Sequence, residues 1–184
     1  NILDLVGNLA LKILGVSFKY VSGYRGMAQI APSIYGEEVQ AGHVASGGYN
    51  RFFTETTKKG ETLLVYHHPI FDRNGSQVQP LDTLADSESF LDVYLRIHGS
   101  MPTGIYWETY KWLRINVQAV TPSILTPPGT PDHVLAILRK SVESTFQDKD
   151  FQRLWKKQFD DIIQWNHIDD TLAAFQNYRS MNKE

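Results

Sequence analysis

The chain contains no cysteine, which excludes disulfides, thiol catalysis and zinc–thiolate sites and is compatible with an oxidising compartment without demonstrating one. It has no run of lysine or arginine. Its 18 basic and 20 acidic residues leave a net charge of −2, so it carries no electrostatic footprint for nucleic acid or an anionic membrane surface. No segment approaches the roughly 20 consecutive apolar residues of a membrane span. The N-terminus lacks the basic start and small-residue cleavage site of a secretory signal. There is no internal repeat, low-complexity tract or coiled-coil heptad.

What is present is a globular composition: 184 residues, 42% of them hydrophobic, enough for one domain or two small ones with a real core. The chain opens at Asn1-Ile2-Leu3-Asp4, inside an amphipathic pattern and without Met, and reads as lacking an N-terminal portion. Apolar residues from Ile2 to Leu14 recur at largely helical spacing, with Gly15 as the stop. Phe18-Lys19-Tyr20-Val21 alternates like a short strand and runs into Ser22-Gly23-Tyr24-Arg25-Gly26, a loop whose glycines allow close backbone approach, before a helix over Met27–Tyr35. The order repeats: Gly36 to Val44 reads as a turn into a short strand, then Ala45-Ser46-Gly47-Gly48 precedes a helical stretch that includes Phe52 and Phe53.

Glu61 to His67 has the continuous apolar centre of a strand covered on both faces. Asp72–Gln79 is turn-rich, Leu81–Leu84 resembles a short connection, Ser87–Ile97 is helical by its apolar spacing, and Gly99 to Gly104 breaks that helix. Tyr106–Leu113 is aromatic-rich, and Val117-Gln118-Ala119-Val120 leads out of the first part. Thr126-Pro127-Pro128-Gly129-Thr130-Pro131-Asp132 is a stiff linker feeding a helix: two prolines fix their own φ, Gly129 permits a sharp turn, and Thr130 and Pro131 start the first turn. Helices are expected over Pro131–Phe146, Lys149–Phe159 and Asp169–Met181. Strands alternating with helices imply an α/β class with a largely parallel sheet.

The Pro-rich passage with its following Leu138-Arg139-Lys140 and Phe146-Gln147-Asp148-Lys149-Asp150-Phe151 resembles the C-terminal signature of the extracytoplasmic solute-binding receptors of tripartite tricarboxylate transporters, the TctC or Bug family. The run from Leu14 to Gln40 resembles that family's strand and glycine loop, usually a Gly-Tyr-Lys-Gly core with a later Gly-Glu-Val-Asp; here Arg25 replaces the lysine and Gln40 the aspartate. Asp92 to Trp107 is similar to the segment that precedes the return to the first lobe.

The resemblance implies a class II, periplasmic-binding-protein-like α/β fold: residues 1–118 one ligand-binding lobe lacking its first strand, 119–184 the linker and C-terminal helices of the other lobe. It also implies a non-enzymatic receptor in the periplasm that captures a small organic carboxylate and delivers it to membrane permease subunits, with no cofactor, metal or nucleic acid. The ligand-binding candidates are Gly23, Tyr24, Arg25, Gly26, Ser46 and Gly47, because loop N–H groups and helix N-termini suit anions. The alternatives are an α/β enzyme and a non-binding structural fragment.

Each candidate also has a plainer reading. Gly23 to Gly26 can be a tight connection, Arg25 a solvated arginine, and Ser46 a helix cap. His67-His68 on a strand point to opposite faces and read as structural rather than metal-binding. His43, His98, His133 and His167 are scattered with no triad or Glu-based metal motif around them. Trp107, Trp112, Trp155 and Trp165 read as packing, and Asp148 with Asp150 as a helix-start device.

Overall fold

A computed structural model describes residues 2–72, 75–78, 84, 86–117, 124–159 and 168–180. The chain divides into two compact units, residues 1–115 and 116–184. The expected connection at Leu81–Leu84, all but Leu84 itself, the exit at Gln118–Val120, Trp165, His167 and Met181 lie outside the described residues.

The first unit opens with α1 (Ile2–Ile13). Val6, Ala10 and Leu14 recur at intervals of one turn and are buried, whereas Leu3 and Leu5 stay exposed, so only one stripe of the apolar pattern is used. α2 (Met27–Tyr35) begins as the sequence predicts and ends at Gly36. α3 (Ser46–Phe52) and α4 (Thr54–Lys58) follow, joined through Phe53, which is buried. A two-residue antiparallel ladder pairs β1 (Ile70–Phe71) with β2 (Gln77–Val78) across a turn in which Asp72 accepts from the Ser76 N–H at 2.8 Å.

α5 (Phe90–His98) carries a complete capping box. Ser89 Oγ accepts from the Asp92 N–H at 3.2 Å, and the Asp92 carboxylate accepts from the Ser89 N–H at 2.8 Å. Gly99 at φ 71 closes the helix in the left-handed region that glycine adopts without strain. α6 (Ile105–Trp112) runs on into a π-helical turn, Leu113–Val117. The core of this unit is Phe90, Leu91, Val93, Trp107, Tyr110 and Leu113, with Phe90 and Tyr110 fully buried, and α1 packs on α6.

The second unit has α7 (Asp132–Gln147), α8 (Lys149–Phe159) and α9 (Ile168–Ser180). The Pro-rich linker caps α7 through Pro131, whose carbonyl takes the N–H groups of Val134 and Leu135. Asp148 accepts from the Phe151 N–H at 2.8 Å and so starts α8. Buried Asn116 accepts from Asn177 of α9 at 3.0 Å.

The expected α/β binding-protein fold is overturned. The chain is 61% helical, and among the described residues the only ladder is the two-residue pair β1–β2. Phe18–Val21 and Leu63–Tyr66 do run outside any helix, as their β-branched and aromatic residues favour, but among the described residues no strand pairs with them. His67 alone forms a parallel bridge, to Ser89. A strand sequence without a partner leaves its apolar side chains in water, and Leu63 is 81% exposed.

Candidate functional site

The predicted ligand-binding residues fall on the loops that open α2 and α3. Gly23 at φ 110 and Gly26 at φ 155 occupy backbone conformations that residues with a Cβ rarely adopt, which is why this loop is glycine-rich. The Arg25 N–H donates to Gln29 Oε1 at 2.8 Å, tying the loop to the first turn of α2. The Gln29 and Ile30 N–H groups both donate to the Gly26 carbonyl, and those of Met27 and Ala28 make no hydrogen bond among the described residues. Tyr24 is half-buried, while Arg25 is exposed and its guanidinium pairs with no described residue.

At α3 the residue that caps is Ala45, not Ser46, and no side chain caps the helix. Ser46 is thus its first helical residue, ahead of Gly47 and Gly48. The Tyr49 N–H takes the Ala45 carbonyl at 2.9 Å, leaving the N–H groups of Gly47 and Gly48 unused by any described acceptor.

The two helix beginnings come together. A Cβ on Gly48 would stand 3.1 Å from Met27 Cγ. At the other end of the same helices Tyr35 donates its hydroxyl to the Phe52 carbonyl, and its ring packs on Phe53 at 5.6 Å. Start meets start and end meets end, so α2 and α3 run side by side in the same sense and their positive dipole ends lie together. Gly42 passes close against this pair, a Cβ there standing 3.1 Å from Ile34 and 3.2 Å from Ile30.

A second polar cluster lies in the core of the first unit. The rings of His43 and His68 stack at 5.2 Å. His68 Nδ1 is 2.8 Å from the Tyr110 hydroxyl, and His43 Nε2 is 3.3 Å from that of Tyr66. His68 Nε2 is sealed from solvent with no hydrogen-bond partner among the described residues. Arg114, in the π-helical turn, donates Nε and Nη2 to the Pro69 carbonyl at 3.2 and 2.9 Å. His67 points elsewhere, its Nδ1 3.0 Å from Ser87 Oγ, as adjacent residues of an extended segment do.

Burial pushes His43 and His67 below the ordinary histidine range, with Asp4 opposing at His43 and Asp92 at His67. Burial takes His68 well below it, and the charges of Arg114, His43 and His67 act in the same direction. Burial raises Tyr66 to about 12 and lifts Tyr110 as well. The two tyrosines that face the pair are themselves packed on aromatic rings, Tyr66 on Phe90 and Tyr110 on Phe90 and Trp107.

Sequence reasoning did not find this cluster. Its members at 43, 66, 68, 110 and 114 are brought together by packing, and only the one-turn interval from Tyr110 to Arg114 and the two-residue step from Tyr66 to His68 are visible in the chain. Among the described residues no group of three or more His, Asp or Glu side chains is arranged to hold a metal ion. None of the described helices is long and apolar enough to cross a membrane. No family model matches the chain, and neither does any curated protein or solved structure.

Proposed function

We propose that the chain captures a small organic carboxylate, without chemical turnover, at the joined beginnings of α2 and α3, and that it serves as an extracytoplasmic receptor for a tripartite tricarboxylate-type uptake system and its membrane permease subunits. The observation that carries this reading is the contact of Met27 with Gly48. It sets two like-directed helix starts side by side, with the unused N–H groups of Met27, Ala28, Gly47 and Gly48 at one end. A carboxylate at that end is favoured by the donors and by the dipoles together.

Arg25 supplies the one mobile positive charge on the same loop, able to fork onto a carboxylate that the backbone already holds. The wording of the Pro-rich passage and of Leu14 to Gln40 supports the transport context. The capture site itself needs no sheet: it is made of two helix starts and a glycine loop.

The test is calorimetric titration and thermal shift of the chain with citrate, succinate, benzoate and glutamate. A ligand that binds only the native state at about 100 times its Kd stabilises it by about 2.7 kcal/mol. Arg25→Ala is expected to weaken that response about tenfold without altering the melting temperature of the free chain. A flat response to every acid overturns the reading.

A further inference from the structure

We propose that the stacked His43–His68 pair is a pH-sensitive latch on α1, which holds that helix while both rings are neutral and lets it go when they take up protons. The geometry is specific to α1. The His43 ring lies so close over Gly7 that a Cβ there would overlap it, so the bare backbone of α1 is the surface on which the ring rests. Behind His43 stands His68, and behind His68 stand Tyr110 and Arg114 of the α6 end.

A proton on His68 has nowhere to be compensated. One ring nitrogen already faces the Tyr110 hydroxyl, and the other is sealed without a partner among the described residues, so the imidazolium leaves a buried N–H donor unpaired whichever nitrogen gains it. The charges that act on His68 are of one sign, those of Arg114, His43 and His67. On the acidic side Asp4 of α1 acts on His43 and also holds the Tyr20 hydroxyl, while Asp92 of α5 acts on His67. Neither carboxylate is among the groups that act on His68. Like charges stacked at 5.2 Å repel, and His43, half-buried on the α1 side, is the ring of the pair that gives way.

Once His43 leaves Gly7, α1 keeps its packing on α6 and the Lys12 ammonium over the Tyr106 ring at 4.2 Å. A 12-residue helix is marginal by itself, so with that packing alone α1 opens more often. α5 stays, because its capping box is closed between Ser89 and Asp92 and its Leu91 and Val93 are buried.

Amide exchange of the full chain at about pH 7.5 and about pH 5.5, expressed as protection factors, tests the latch. α1 is expected to lose protection by about tenfold or more across that interval while α5 keeps its own, and the double variant His43→Gln with His68→Gln is expected to abolish the difference. Constant protection in α1, equal loss in α1 and α5, or an unchanged pH dependence in the double variant each overturns the proposal. Should that variant fail to fold, the ring resonances of the unaltered chain decide: His43 and His68 titrating together below the free-histidine value of about 6.5 support the latch, and titration at or above it sinks the proposal.

Discussion

A Cβ at Gly7 would overlap Nδ1, Cε1 and Cγ of His43, so the α1 backbone and the imidazole are packed without room for a methyl group. In an exposed helix, replacing glycine by alanine gains roughly 0.5–1 kcal/mol of helix propensity. Here the gain is outweighed, because overpacking costs about 1–3 kcal/mol and the atoms in the way belong to a ring fixed on its far side by His68. Gly7→Ala is therefore expected to lower stability by about 1–2 kcal/mol in urea denaturation. A stabilised variant would mean that His43 does not rest on α1.

Ser89 is almost fully buried, and its capping box closes the start of α5 beside the Phe90 N–H, which donates to the His67 carbonyl at 2.8 Å. Ser89→Ala is expected to cost about 1 kcal/mol, measured by chemical denaturation. Asp92→Asn keeps an oxygen acceptor for the Ser89 N–H but loses its charge, and should cost less. The hydrogen bonds from Ser89 hold the Asp92 carboxyl below its ordinary value, so its stabilising contribution is complete above about pH 4 and fades as the pH falls through the lowered value. The difference between the unaltered chain and Asp92→Asn should shrink in acid. A difference that grows in acid would contradict the box.

The helices were legible because their signals are local. Met27–Tyr35 and Lys149–Phe159 match the observed α2 and α8, Gly99 stops α5 where expected, and α7 starts one residue after Pro131. The sheet was misread for the opposite reason. Glu61–His67 and Phe18–Val21 have strand composition, yet a ladder is a relation between two segments, and alternation inside one segment says nothing about whether a partner lies alongside. The glycines of the candidate site were readable as backbone requirements, and Gly23 and Gly26 do hold positive φ. Ser46 was misplaced by one residue, because Ala45 takes the capping position without offering a side-chain acceptor. The parallel setting of α2 and α3 rests on Met27 meeting Gly48 and Tyr35 meeting Phe52, contacts between residues 17 to 21 apart that no spacing rule announces.

Arg114 holds the Pro69 carbonyl with two donors of a planar fork. Pro69 is fully buried and sits between His68 and β1, so this contact fixes the turn that carries His68 into the core. Lysine offers a point charge in place of the fork and is more strongly hydrated. Arg114→Lys is expected to cost about 1–3 kcal/mol, the range for a buried acceptor losing a charged donor. Arg114→Met fills similar volume without any donor and should cost at least as much in urea denaturation. If Arg114→Met proves neutral, the carbonyl must find another partner and the fork is dispensable.

Tyr66 and Tyr110 are expected to ionise late. Burial raises Tyr66 to about 12 and lifts Tyr110 in the same direction, by removing the phenolate from water. The sign for stability follows from proton counting: above about pH 10 the unfolded chain has lost these protons and the folded chain keeps them, so folding weakens as the pH rises through the raised values and is unaffected below about pH 9. Ultraviolet titration should show a late step coupled to loss of structure. Tyr110→Phe removes one late proton and also the hydroxyl facing His68 Nδ1, so it should shrink the alkaline step while costing about 1–3 kcal/mol near neutrality. Tyr66→Phe, whose hydroxyl is 3.3 Å from His43 in a half-buried position, should shrink the same step at a smaller cost, and that ordering fails if His68 is not the buried partner of Tyr110.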